Sequence, residues 1–381
     1  MIIKEVKARK ILNSRKEPAI EVIINNKYSA STPSGASTGT HEVKAFTKDV
    51  NDSCFYINHK ATLKGLKFET FDDLEQIDSL LPKIGGNAVL AIQYAILREM
   101  SNNEVWKFLN PHSRSIPMPL GNVIGGGKHT KKRSTSIQEF LLMPRAMSIR
   151  DNIAVMRHVH EKAAKELKLK EMTDEGAWIS SLSDTEVLEY LHKTLSNVEN
   201  TMGIKVNFGI DMASSSFWDG KYYVYKNIVK DKGAKLNMAQ QIEFVNKIVK
   251  DHFLCYVEDP LNEEDFDGFS RIKKTTLVCG DDLVTTNMER LKQAIKSKSI
   301  NCMIIKPNQI GSIIQTRKVV DFAKANDIIT VISHRSGETM DTMIADLAVA
   351  WEIPYIKTGI HGKERECKLQ RLADIEGIMH G

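Results

Sequence analysis

From Pro117 onward, eight short apolar segments follow one another: PLGNVI, QEFLLMP, VNFGID, LCYVED, LVCGD, MIIKP, TVISH and YIKTG. Helical spacing separates most of them. After QEFLLMP, Ile153, Met156, Val159, Ala163 and Leu167 share one helical face. A later helix opens on Ser183 and Glu186 at capping-box spacing. Further helices are predicted near 239–251, 287–297, 313–325 and 338–350. Eight strands with helical crossovers predict a (β/α)8-type barrel. Only the loop at 125–137 joins the first two strands, so the barrel is expected to start with an antiparallel pair.

The N-terminal part reads differently. Ile2 to Leu12, Ala19 to Ile24 and Tyr28 to Ser31 alternate as strands do, and 72–80 and 87–109 carry helical spacing. Between them runs a loop of turn-forming residues, Ser31 to Gly39. The predicted class is therefore α/β, with a smaller α+β domain (1–112) preceding a barrel domain (113–381).

Composition narrows the setting. Hydrophobic residues make up 42% and charged residues 27% of the chain, enough for a globular core. The formal charge of +5 is spread along the chain, which suits an anionic substrate and selects no partner. Five scattered cysteines without a C-x-x-C argue against a zinc ribbon or disulfide framework and for a reducing compartment. The N-terminus has no apolar core of the signal-peptide kind, and no apolar run is long enough to span a bilayer. A cytoplasmic protein without a membrane partner is expected.

Chemistry enters at the strand ends. Asp211, Glu258 and Asp281 close three segments, and Lys306, His334 and Lys357 close or lie in the next three. A single charged strand end is an ordinary rim residue; six in series are hard to explain that way. On a barrel they share the C-terminal rim, where sites on this fold are built. Three converging carboxylates would repel unless a divalent cation lay between them, and hard oxygen ligands suit Mg²⁺. Two lysines, His334 and Arg335 make the other half fit for an anion. Metal on one side and lysine on the other suits proton abstraction beside a carboxylate, a pattern already known for the enolase superfamily.

At these residues the sequence resembles the enolases themselves, from ARKILNSRKEPAIEV through SGAST, GGKH, QEF, DEG, GIDMASS, VEDP, GDDLVTTN, IKPNQIGS and SHRSGET to IKTG. SGAST, KPNQIG and SHRSGE in that order, with VEDP and GDDL between, are highly specific. The resemblance implies reversible dehydration of 2-phosphoglycerate to phosphoenolpyruvate by a lyase of glycolysis. It implies Asp211, Glu258 and Asp281 as ligands of one Mg²⁺, and Ser37 as helping to hold a second that arrives with substrate. Lys306 would be the base and Glu175 the acid, with Glu139 beside it and His129 and His334 lining the cavity. Lys357 would meet the substrate carboxylate, and Arg335 and Ser336 the phosphate, with Gln138 and Ser37 also at the substrate. A homodimer or larger homo-oligomer follows from the same likeness.

Residues alone support these assignments unequally. A loop glutamate such as Glu175 ordinarily reads as a solvated charge, His129 as structural or exposed, and Ser37 as a turn residue. The chain also departs from the family where substrate would lie. Gly125 replaces an asparagine, Thr130, Lys131, Lys132, Arg133 and Ser134 replace small residues, and that loop is one residue longer. Gly176-Ala177-Trp178-Ile179-Ser180 stands for Gly-Gly-x-Ala-Pro, with Trp178 reading as an aromatic that packs the loop. Asn13-Ser14-Arg15-Lys16-Glu17-Pro18 replaces D-S-R-G-N-P, and the chain is shortened mainly between 45 and 85. Two alternatives follow: a divergent paralogue acting on another phosphorylated or 2-hydroxy acid, and a non-catalytic binding protein on the same scaffold. Nucleic acid is not expected as a partner, because no aromatic residues interleave the basic run.

Overall fold

Three strands, β1 (Val6–Leu12), β2 (Pro18–Ile24) and β3 (Tyr28–Thr32), form an antiparallel meander in chain order. The computed structural model describes residues 1–35, 40–229 and 232–380. The alternation in β2 buries Ile20, Val22 and Ile24 against helix Gly86–Met100, whose residues from Gly86 to Leu97 are all buried. A helix apolar all round needs cover on every side, and here the sheet, its neighbouring helices and the barrel supply it. The helical pattern at 87–109 is two helices, Gly86–Met100 and Val105–Leu109, because Asn102 and Asn103 take positive φ and break it. The pattern at 72–80 is a 3-10 helix.

All eight apolar segments are barrel strands: β4 (Met118–Gly125), β5 (Glu139–Pro144), β7 (Val206–Asp211), β10 (Tyr256–Glu258), β11 (Leu277–Gly280), β12 (Cys302–Ile305), β13 (Ile329–Ser333) and β14 (Tyr355–Lys357). They close when β14 pairs in parallel with β4. The expected antiparallel start is present, and β5 runs against both neighbours, β4 and β7. Alternate inward residues fill the barrel, among them Leu120, Leu141, Tyr256, Cys279, Cys302 and Val331. The buried cysteines act there as small apolar side chains.

Outward residues meet the helices. Ile153, Met156, Val159 and Ala163 are buried on helix Ile149–Leu167, and Ser183 with Glu186 forms the anticipated capping box of helix Asp184–Met202. The helix expected at 338–350 starts only at Met343. The preceding stretch is drawn to the small domain, where Arg98 holds Asp341 at 2.8 Å and Ser34 bridges Gly337. The pattern gave no warning of the two-residue β6 (Trp178–Ile179) beside β4, of the hairpin β8 (Tyr223–Val229) and β9 (Lys232–Leu236), or of helix Lys363–His380.

Candidate active site

The strands bring their polar ends to one mouth, around a cavity of 320 Å³ that also takes residues from the small domain. Asp211 ends β7, Glu258 ends β10 beside it in register, and Asp281 follows β11. Lys306 follows β12, His334, Arg335 and Ser336 follow β13, and Lys357 ends β14. Because β5 is reversed, its first residue, Glu139, reaches the mouth, with Gln138 before it. His129 closes the turn Gly127–His129. Ser37 lies outside the described residues.

Lys357 is the hub of one half. Its ammonium lies 3.0 Å from Glu139 Oε2, 3.0 Å from Asp211 Oδ2 and 2.9 Å from Glu258 Oε2, all four side chains being buried. Burial alone would lower the lysine pKa, but Asp211, Glu139 and Glu258 raise it well above the ordinary range. Glu258 is pushed up to about 8, by burial first and then by the charge on Asp211. Asp281 pairs instead with Lys306 and accepts from Gln309 Nε2 at 3.1 Å. The adjacent Asp259 holds the backbone of Asp281 and Asp282, accepting their N–H groups at 3.0 and 2.7 Å.

The second half is built around Glu175. It is 4% exposed, so the solvated loop charge expected from the residues alone is not what the fold makes of it. The loop after Thr173 turns inward and sets Glu175 3.8 Å from His129 Nε2 and 3.7 Å from His334 Nε2. His129 is drawn from the other side by Asp174 at 2.9 Å, which Arg15 meets in turn at 2.5 Å. Burial opposes a charge on His129, yet Glu175 and Asp174 raise it to about 9. Burial holds His334 well below the ordinary range. Burial also pushes Glu139 well up, whereas at Glu175 nearby positive charge, that of His129 foremost, overcomes burial and holds the group well down.

Arg335 spans the domains, holding Glu42 at 2.9 Å and Asn308 Oδ1 at 2.9 Å. Glu42, Arg15, Asp259 and Gln309 went unassigned in the sequence. Asp259 stands next to Glu258, so a doubled acid was the available signal; Glu42 offered none.

The donors fit a hard divalent cation. Glu258 Oε1 is buried without a hydrogen-bond partner, its Oε2 being held by Lys357 and Tyr256, and an unpartnered carboxylate oxygen is a donor that a hard divalent cation prefers. Among the described residues, close-set groups able to hold a metal are His129–Glu139–Glu175 and Asp259–Asp281–Asp282. Asp281 belongs to the second of these, while Asp211 and Glu258 meet on Lys357.

A buried lysine among buried carboxyl groups, with a second lysine paired to Asp281 at the mouth where barrel sites form, marks a barrel enzyme. Family models agree: "Enolase, C-terminal TIM barrel domain" matches residues 113–380 and "Enolase, N-terminal domain" matches 3–109. The chain is 40% identical to the enolase of Picrophilus torridus, with 98% of each chain covered. It is 38% identical to that of Methanothermobacter thermautotrophicus (98% of this chain, 96% of the relative). With the enolase of Archaeoglobus fulgidus it shares 36%, over 100% of this chain and 98% of the relative. The chain belongs to the enolase family and is a lyase; neither alternative reading is favoured. Among the described residues no helix is long and apolar enough to cross a membrane.

Proposed function

We propose that the protein interconverts 2-phosphoglycerate and phosphoenolpyruvate by removing the C2 proton and then the C3 hydroxyl. One observation carries the assignment of roles: Lys306 and Glu175 line the same cavity. Lys306 takes the C2 proton on its amine. Burial favours that neutral amine, as do Arg335 and Lys357, but the charge on Asp281 outweighs them and holds the Lys306 pKa above the ordinary lysine range. Glu175 gives a proton to the departing C3 hydroxyl, which leaves as water, and Glu139 shares in supplying that proton. His129 and His334 orient Glu175 and shield it from bulk water.

Lys357 meets the substrate carboxylate, with Gln138 beside it. Arg335 and Ser336 meet the phosphate, a task suited to a planar fork of donors. Two Mg²⁺ per site belong to the proposal, one on Asp211, Glu258 and Asp281 and one arriving with substrate that Ser37 would help to hold; when bound they would supply positive charge against the reacting carboxylate. The small domain (1–112) caps the barrel domain (113–381). The protein works in the cytoplasm as a homodimer or larger homo-oligomer.

Phosphoenolpyruvate formation from 2-phosphoglycerate tests this, measured with Mg²⁺, with chelator, and for Lys306→Ala. Turnover that needs Mg²⁺ and vanishes with the substitution is expected. No turnover from folded, Mg²⁺-loaded protein would sink the proposal.

A further inference from the structure

Helix Ile149–Leu167 carries His160, 4% exposed, against the segment that holds Glu175. His160 Nε2 lies 2.9 Å from the carbonyl oxygen of Gly176, the residue after Glu175. A carbonyl only accepts, so Nε2 carries the proton and donates. On the other side of the ring, Trp178 Nε1–H donates to His160 Nδ1 at 3.2 Å and to the His160 carbonyl at 2.9 Å. The tautomer is thereby fixed. The His160 and Trp178 rings lie 5.1 Å apart, and His361 stacks on His160 at 5.8 Å and 11°. Burial lowers the His160 pKa, which keeps the ring in this neutral form.

The segment so held is a tight turn. Thr173 N donates to Ala177 O at 2.8 Å, and Thr173 Oγ1 accepts from both Glu175 N and Ala177 N at 3.3 Å. Gly176 sits at φ +79°, where a Cβ would come within 2.5 Å of the His361 carbonyl oxygen. Gly125 makes room as well: a Cβ there would fall 2.9 Å from Thr173 Cγ2 and 3.1 Å from Ala177 Cβ. Two of the chain's departures from its family, Gly125 and Trp178, thus meet at one turn.

We infer that His160 and Trp178 are positioning residues for Glu175: His160 holds the Gly176 carbonyl, Trp178 holds the His160 ring, and the pair so fixes where the Glu175 carboxyl points. The inference rests on Glu175 being the acid. A general acid displaced by about 1 Å can lose on the order of a hundredfold in rate, so an anchor one residue away governs turnover without touching substrate.

The test uses two rates of the same enzyme: overall dehydration, and exchange of the C2 hydrogen with D₂O. Exchange needs Lys306 and not Glu175. His160→Leu should lower kcat for dehydration by about a hundredfold and Trp178→Phe by about tenfold, one lost hydrogen bond to a neutral group. KM and the exchange rate should stay within about twofold for both. His160→Gln should recover most of the loss, since its amide can donate to Gly176 O and accept from Trp178. Should His160→Leu not fold, Trp178→Phe, which keeps the ring, decides. Exchange and dehydration falling in proportion, or undiminished dehydration in folded variants, overturns the inference. Glu175→Gln runs alongside. If it leaves dehydration intact, the acid assignment falls and the clamp with it; if it alone separates the two rates, the clamp is wrong and the acid assignment stands.

Discussion

Glu42 and Arg335, 293 positions apart in the chain, form a two-pronged ion pair in which Glu42 Oε2 lies 2.9 Å from one guanidinium nitrogen and Oε1 3.1 Å from the other. A residue of the small domain thereby occupies the group proposed to hold phosphate. Glu42→Gln keeps the shape and removes the charge. Inorganic phosphate should then inhibit about tenfold more strongly, equivalent to about 1.4 kcal/mol, as read from inhibition of phosphoenolpyruvate formation. Unchanged inhibition would separate Glu42 from anion binding.

Lys357 pairs with three buried carboxyl groups, and removing it leaves them facing one another. Lys357→Met should cost about 3–5 kcal/mol in chelator, the usual penalty for breaking a buried pair from one side. Added Mg²⁺ should restore part of that in denaturant melts. A variant as stable as the parent in chelator would show that the carboxylates take up protons in place of the lysine.

His129 titrates near 9 in the fold, against about 6.5 unfolded, because the charges of Glu175 and Asp174 outweigh its burial. Its contribution to stability is therefore complete below about pH 6.5 and is lost as pH rises through about 9. Melts of the parent and of His129→Gln from pH 6 to pH 10 should show a stability gap that narrows across that window. A constant gap would mean that packing, not charge, is what His129 contributes.

Gly176→Ala places a methyl against the His361 carbonyl at a positive φ. Kinetics at saturating substrate should show kcat falling by about tenfold to a hundredfold as the Glu175 turn shifts, with KM little changed. Parent-like kcat would mean that the turn absorbs the clash elsewhere.

The strand ends were legible because a barrel enforces a repeat: each strand delivers its last residue to the same rim, so Asp211, Glu258 and Lys357 could be placed from spacing. Glu175 was not legible that way. Its burial depends on a turn held by Thr173, His160 and Gly125, residues that come together only in three dimensions. Glu42 was silent for the same reason, since its partner lies on β13's far loop. Helix Lys363–His380 escaped because its apolar residues form no clean stripe: Arg365 and Lys368 are buried with Leu369 and Leu372. Arg365 donates to Ser336 O at 3.0 Å, and Lys368 holds Glu338 at 2.9 Å. Charge buried by partnership carries no periodic signal.

The reversal of β5 has a consequence for how such a barrel can change. Where strands run parallel, each rim loop leads on to a helix, after β7 by way of the β8–β9 hairpin, and any insertion must be absorbed before that helix docks. Between β4 and β5 the chain leaves the rim and returns to it directly, so residues added there disturb no helix. The lysine-rich stretch from Lys128 to Arg133 occupies that stretch of rim. Beside the catalytic groups, this stretch lets the chain experiment with length and charge while the scaffold stays still.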